Sequence, residues 1–137
     1  MVSVRNPFVG RDVAERYAQA RPGLHKHAVD LVMARHPRVA RAIDVACGTG
    51  LSTTPLRSIA QHVVGADVSW DMLTAVPRDQ PVSYVQARAE QLPFGDGSFA
   101  LATVCSAIHW FARDAVAELH RILSDAGVLV VYDVWFP

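Results

Sequence analysis

Ala42-Ile43-Asp44-Val45-Ala46-Cys47-Gly48-Thr49-Gly50 is a short apolar run that carries one acid and breaks into a glycine turn. Ile43 and Val45 are β-branched and the run has strand length; Gly48 and Gly50 end it before residues 51–60 resume at helical spacing. The stretch predicts strand, tight loop, helix. In an open α/β sheet, ligands bind in the crevice beyond the carboxyl ends of the strands, so a glycine loop there sets bare backbone against a ligand.

Outward from this stretch, further strand-like segments follow at residues 62–67, 82–87, 99–105 and 128–136. Residues 99–105 form an apolar run suited to a central parallel strand buried on both faces. Helical spacing covers residues 24–36, where Ala28, Leu31, Val32 and Arg35 are placed to lie on the sheet and Pro37 is the stop. It recurs over 70–76, with Ser69 as N-cap and Asp71 in the first turn. A third stretch, 113–123, aligns Val116, Leu119, His120 and Leu123, and Asp125-Ala126-Gly127 ends it. Residues 12–20 are also helix-compatible, up to the break at Arg21-Pro22-Gly23.

Two ligands compete for the glycine loop. The dinucleotide fingerprint Gly-x-Gly-x-x-Gly needs a third glycine where this chain has Thr53. A carboxylate at Asp44 repels a pyrophosphate, whereas S-adenosylmethionine carries a sulfonium and an ammonium and no phosphate. A plainer reading of Asp44 stays open: it hydrogen-bonds the loop, and Gly48 and Gly50 only turn the chain. Asp67 lies near the roughly 20-residue spacing at which a Rossmann acid meets ribose hydroxyls, and it serves either adenosine ligand. Val68, next to it, is placed against the adenine.

Residues 43–50 resemble the first motif of class I S-adenosylmethionine-dependent methyltransferases, and the later stretches follow in order. The resemblance implies an α/β, Rossmann-like methyltransferase sheet, with parallel strands in the order 3-2-1-4-5 and helices on both faces. It implies one domain, with N-terminal cap helices over 1–38 and the core over 39–137. The final antiparallel hairpin of the family is expected to be lacking, so that the chain corresponds to the cofactor half. S-adenosyl-L-methionine is the implied cofactor, wrapped at its methionine end by Asp44, Ala46, Cys47, Gly48 and Gly50. Arg21 is placed to pair with the methionine carboxylate, and Tyr17 lies in the same capping segment, against the acceptor.

Residues 89–94 resemble the family loop that passes the adenine, through the Ala89 amide or Glu90; Arg88 and Ala100 stand where relatives often carry acids. Ser106-Ala107-Ile108-His109-Trp110-Phe111 closes the fourth strand at the crevice. Ser106 is expected against the cofactor. His109 is the candidate base or orienting group for the acceptor, its ordinary pKa lying near neutrality. Trp110 offers a π face to the sulfonium. The His-Trp-Phe triplet resembles the small-molecule branch that includes trans-aconitate methyltransferase-like enzymes.

Composition is compatible with this. The 137 residues suit a single domain, and 51% are hydrophobic, enough for a packed core. Basic and acidic residues balance at 13 each, which gives no pull toward nucleic acid or an anionic membrane. Cys47 and Cys105 offer neither metal spacing nor a disulfide framework, and Cys47 reads as a small packing residue. The start lacks the apolar core of a signal peptide, and no apolar stretch approaches the roughly 18 residues of a membrane span, so a cytoplasmic protein is expected. An apolar fifth strand at the sheet edge predicts a homodimer through that edge. The expected activity is methyl transfer to a small-molecule acceptor. A non-catalytic cofactor- or partner-binding domain is the alternative, favoured by Arg88, Ala100 and the missing strands; a nicotinamide enzyme ranks third.

Overall fold

The computed structural model describes residues 10–12 and 24–133. β1 (Val39–Val45), β2 (Ala60–Asp67), β3 (Val82–Gln86), β4 (Phe99–Cys105) and β5 (Leu123–Tyr132) form one sheet in the order β3-β2-β1-β4-β5. Every neighbouring pair is parallel. This is the 3-2-1-4-5 arrangement that the sequence predicts. The described residues also include α1 (Leu24–Met33), α2 (Trp70–Thr74) and α3 (Asp114–Ile122), with two short 3-10 segments.

Side chains on a strand alternate between faces, and the central strands bury both. Ile43, Val45, Ala102 and Val104 pack with Val64, Ala66 and Phe99 against Ala115, Leu119 and Ile122 of α3. On the opposite face Ala42, Val63 and Leu101 meet Val29 of α1, with Leu56 and Ile59. Phe99 and Leu101 fall on different faces because the β4–β5 register shifts between them.

Three local expectations are corrected. Residues 51–60 do not form a full helix: a turn leads into a short 3-10 segment, Thr54–Ser58. Ser52 and Thr53 turn their hydroxyls back to Asp44, and Pro55 has no N–H to continue a helical ladder. In α1 the buried residues are His25 and Val29, with Ala28 and Val32 half-buried, while Leu31 and, past the end of the helix at Met33, Arg35 are exposed. Finally, α3 runs straight into β5, so residues 125–127 belong to the irregular start of that strand rather than to a separate loop. The proposed helix over residues 12–20 lies almost wholly outside the described residues.

Register positions the site. Asp44 sits beside Gly65 of β2 and Thr103 of β4, Val45 beside Ala66, and Cys105 beside Tyr132. The carboxyl ends of the strands therefore open along one edge of the sheet. No helix of the described residues is long and apolar enough to cross a membrane.

Candidate functional site

Along that edge lies a cleft of about 330 Å³. At its centre β1 leaves the sheet through Ala46, whose φ of 61° is left-handed, and the turn continues through Gly48 at 55° and Gly50 at 84°. Left-handed backbone at a non-glycine residue costs about 1–2 kcal/mol, so the surrounding structure must hold it. The Cys47 amide helps, donating to the Ala66 carbonyl at 3.0 Å. A Cβ on Gly50 would stand 2.5 Å from the Tyr84 hydroxyl, so both conformation and space demand glycine there.

Asp44 lies beneath this turn and is fully buried. Ser52 and Thr53 donate to its Oδ2 at 2.6 and 2.8 Å, and Thr103 donates to Oδ1 at 2.9 Å. Burial pushes its pKa above the usual carboxylate range, and the three hydroxyls pull it partly back. Asp44 does not line the cleft; Ser52, which it holds, does.

Asp67 ends β2 at the cleft wall. Its Oδ2 accepts from the Gly48 amide and its Oδ1 from the Ser69 amide, both at 2.8 Å. Burial raises its pKa also, against the pull of those amides. Ser69 in turn caps α2 by accepting from the Met72 amide at 3.3 Å. Cys47 lines the cleft, but burial first, then Asp44 and Asp67, push its thiol well up. It is therefore a neutral packing group, as the sequence indicates.

Ala87, Arg88, Ala89 and Glu90 form the wall beyond β3. Glu90 anchors it: Oε1 accepts from the Ala112 amide at 2.9 Å, and Oε2 stands 3.5 Å from Nε of Arg88. α3 braces the stretch that follows. Glu118 accepts from the Leu92 amide at 2.7 Å, while Arg121 donates to the Phe94 carbonyl at 2.8 Å and the Leu92 carbonyl at 3.2 Å. Neither Glu118 nor Arg121 stands out in the sequence, where an i,i+3 pair on a helix reads as ordinary surface.

The wall beyond β4 repeats the device seen at β1. Ser106 is left-handed at φ 51°, its amide donates to the Tyr132 carbonyl at 2.9 Å, and its hydroxyl donates to Asp133. A 3-10 turn, Ile108–Trp110, then presents Trp110 and Phe111 to the cleft. Of the residues singled out from sequence, Ala46, Cys47, Gly48, Asp67, Val68, Ala89, Glu90, Ser106 and Trp110 line one cavity. Asp44 and Gly50 lie behind it. His109 is exposed outside the lining, its ring 4.9 Å from that of Trp110. Tyr17 and Arg21 lie outside the described residues. His25 and Cys105, which the sequence gives no reason to place here, also line the cleft.

The donor set fits S-adenosylmethionine better than a dinucleotide. Asp67 has one amide on each oxygen and a further lone pair on each, which suits vicinal hydroxyls. Asp67 and Glu90 make the described lining acidic, with Arg88 its only lysine or arginine and turned onto Glu90. A pyrophosphate would be repelled, and a sulfonium with an ammonium attracted.

The parallel 3-2-1-4-5 sheet with its cleft at the strand ends defines a Rossmann-like methyltransferase fold. A family model described as a methyltransferase domain matches residues 43–131, and the chain belongs to that family. It is 35% identical over 134 residues to the malonyl-acyl-carrier-protein O-methyltransferase of Enterobacter lignolyticus, covering 90% of this chain and 53% of that protein. It is 37% identical over 121 residues to the demethylmenaquinone methyltransferase of Thermus thermophilus, covering 82% and 53%. A TehB-like SAM-dependent methyltransferase of Corynebacterium glutamicum superposes with a TM-score of 0.73 at 24% identity, over 89% of this chain and 73% of that one, a likeness of fold. The chain spans about half the length of the curated relatives it matches.

Proposed function

We propose that the chain binds S-adenosylmethionine in this cleft and transfers its methyl group to a small-molecule acceptor. The observation that carries the reading is Asp67, a carboxylate held by the Gly48 and Ser69 amides with a lone pair on each oxygen left for a ribose diol. Bound there, the cofactor supplies an electrophilic methyl group on a positively charged sulfur. Asp67 accepts from the ribose hydroxyls, while Val68 and the Ala89 backbone flank the adenine. The left-handed turn at Ala46 and Gly48 brings main chain against the methionine end, and Asp44 acts on that end at one remove, by fixing Ser52. Trp110 offers its ring face to the sulfonium, worth about 0.5–2 kcal/mol. The chain's contribution to such a transfer is alignment and exclusion of water more than acid-base chemistry.

The test is calorimetric titration of the chain and of Asp67→Asn with S-adenosylmethionine and S-adenosylhomocysteine. A charged hydrogen bond contributes about 1.5–3 kcal/mol, so the exchange is expected to weaken both ligands by about tenfold to a hundredfold. A folded chain that binds neither ligand overturns the reading.

A further inference from the structure

Tyr84 meets the glycine turn from behind and does not line the cleft. Asp44, Gly65 and Tyr84 stand abreast on β1, β2 and β3, so their side-chain positions share one face of the sheet. Gly65 leaves the middle place empty, and the Tyr84 ring lies across it. A Cβ on Gly65 would stand 2.7 Å from two ring carbons and 3.0 Å from the Cys47 sulfur. The ring packs with Cys47, Leu73 and Val76, and its tip reaches the turn, where a Cβ on Gly50 would stand 2.5 Å from the hydroxyl oxygen. That hydroxyl is buried and bonds to no described residue; the Thr53 and Thr54 hydroxyls near it donate instead to Asp44 at 2.8 Å and to the Gly50 carbonyl at 3.1 Å. A buried hydroxyl without a partner lowers stability, and phenylalanine would fill all of the same space but that one atom.

We propose, resting on the S-adenosylmethionine reading of the cleft, that Tyr84 is a positioning residue for the cofactor: its hydroxyl oxygen is the spacer that holds Gly50, and with it the turn over residues 46–50, at the height where the methionine end is met. The oxygen serves by its size and not by a hydrogen bond. It touches no ligand and acts through main chain, because Gly50 has no side chain to fill the gap itself. Ala46 and Gly48 of the same turn do line the cleft, so a shift at Gly50 reaches the ligand within a few residues. The left-handed backbone at Ala46 persists only while its surroundings hold it, and the Tyr84 tip is one of the groups behind that turn. Fold stability and cofactor binding therefore make opposite demands on a single atom.

The experiment compares the unmutated chain with Tyr84→Phe, Tyr84→Leu and Ser83→Ala. Two quantities are measured for each: the urea midpoint of unfolding and, by calorimetry, the affinity for S-adenosylhomocysteine. Tyr84→Phe deletes the spacer alone, and it is expected to hold or raise the urea midpoint while weakening binding by about threefold to tenfold, since the turn is no longer preorganised. Tyr84→Leu, which removes the ring, should lower both the midpoint and the affinity. Ser83→Ala, at the exposed neighbouring position on β3, should change neither. A Tyr84→Phe chain that binds as tightly as the unmutated one overturns the proposal. So does one that loses stability together with binding, since the hydroxyl would then be ordinary packing, and so does equal weakening by Ser83→Ala. A folded, unmutated chain that binds no S-adenosylhomocysteine defeats the cofactor reading itself, and the proposal with it.

Discussion

The two halves of the cleft are built from different materials. Beyond β1 and β2 the polar groups are carboxylates locked in place, Asp44 by three hydroxyls and Asp67 by two amides. Beyond β4 the cleft-facing groups are side chains on a 3-10 turn and at strand ends, with Trp110 47% exposed. Both halves begin alike, with a non-glycine residue in left-handed backbone, Ala46 on one side and Ser106 on the other. A half fixed by buried hydrogen bonds is hard to vary without unfolding; a half made of projecting side chains changes its ligand while the sheet stays the same.

The sharpest way to break this contrast is at Asp44. Asp44→Ala leaves three hydroxyls without their acceptor, at about 1–3 kcal/mol for each buried group left unpaired. A loss of about 3 kcal/mol or more in urea unfolding is expected, enough to threaten a small domain. Asp44→Asn should cost much less, because the amide oxygen still accepts and a hydroxyl can turn to accept from the new NH₂. It also tests the charge. Burial raises the Asp44 pKa, so the folded chain holds that proton more tightly than the unfolded one. Stability then falls as pH rises from the ordinary carboxylate value to that of Asp44, and the Asn variant should lack this slope. Equal losses for Ala and Asn would mean that the hydroxyl cluster is not what fixes this half.

A smaller effect is expected where α3 braces the wall beyond β3. Hydrogen bonds from Arg121, with the Leu92 amide, hold the Glu118 carboxyl at about 2 against burial. A depressed carboxyl stabilises above its unfolded value, near 4.5, and that contribution is lost as pH falls toward about 2. Glu118→Gln should therefore lose about 1 kcal/mol at neutral pH, after allowance for solvent screening. The gap to the unmutated chain should close near pH 2 in acid unfolding; a gap that persists there would assign the loss to packing instead.

How far the sequence could be read follows from which interactions are local. The β1 motif and Asp67 were legible because strand length, glycine turn and acid spacing are all encoded within a short segment. The form of residues 51–60 was not, because it depends on Ser52 and Thr53 choosing Asp44 over the helical backbone. His109 was expected at the crevice because it follows the carboxyl end of the fourth strand. On a 3-10 turn of three residues per turn, adjacent side chains diverge by about 120°, so a cleft-facing Trp110 sends His109 outward. His25 reaches the cleft through packing against Tyr132, 107 residues away, a contact that periodicity does not carry.

The least perturbing change should be the one that sharpens the contrast most. Trp110 projects from the end of the turn with nearly half of its surface exposed, outside the buried core. Trp110→Ala is therefore expected to change unfolding stability by no more than about 0.5 kcal/mol. A ring face at the sulfonium contributes about 0.5–2 kcal/mol, so S-adenosylmethionine should bind about twofold to thirtyfold more weakly in calorimetry. The paired result, nearly unchanged stability with weakened ligand binding, is what a half assembled from projecting side chains requires. A drop of several kcal/mol would place Trp110 in the core, and the division between a fixed half and a variable half would fail at its most exposed residue.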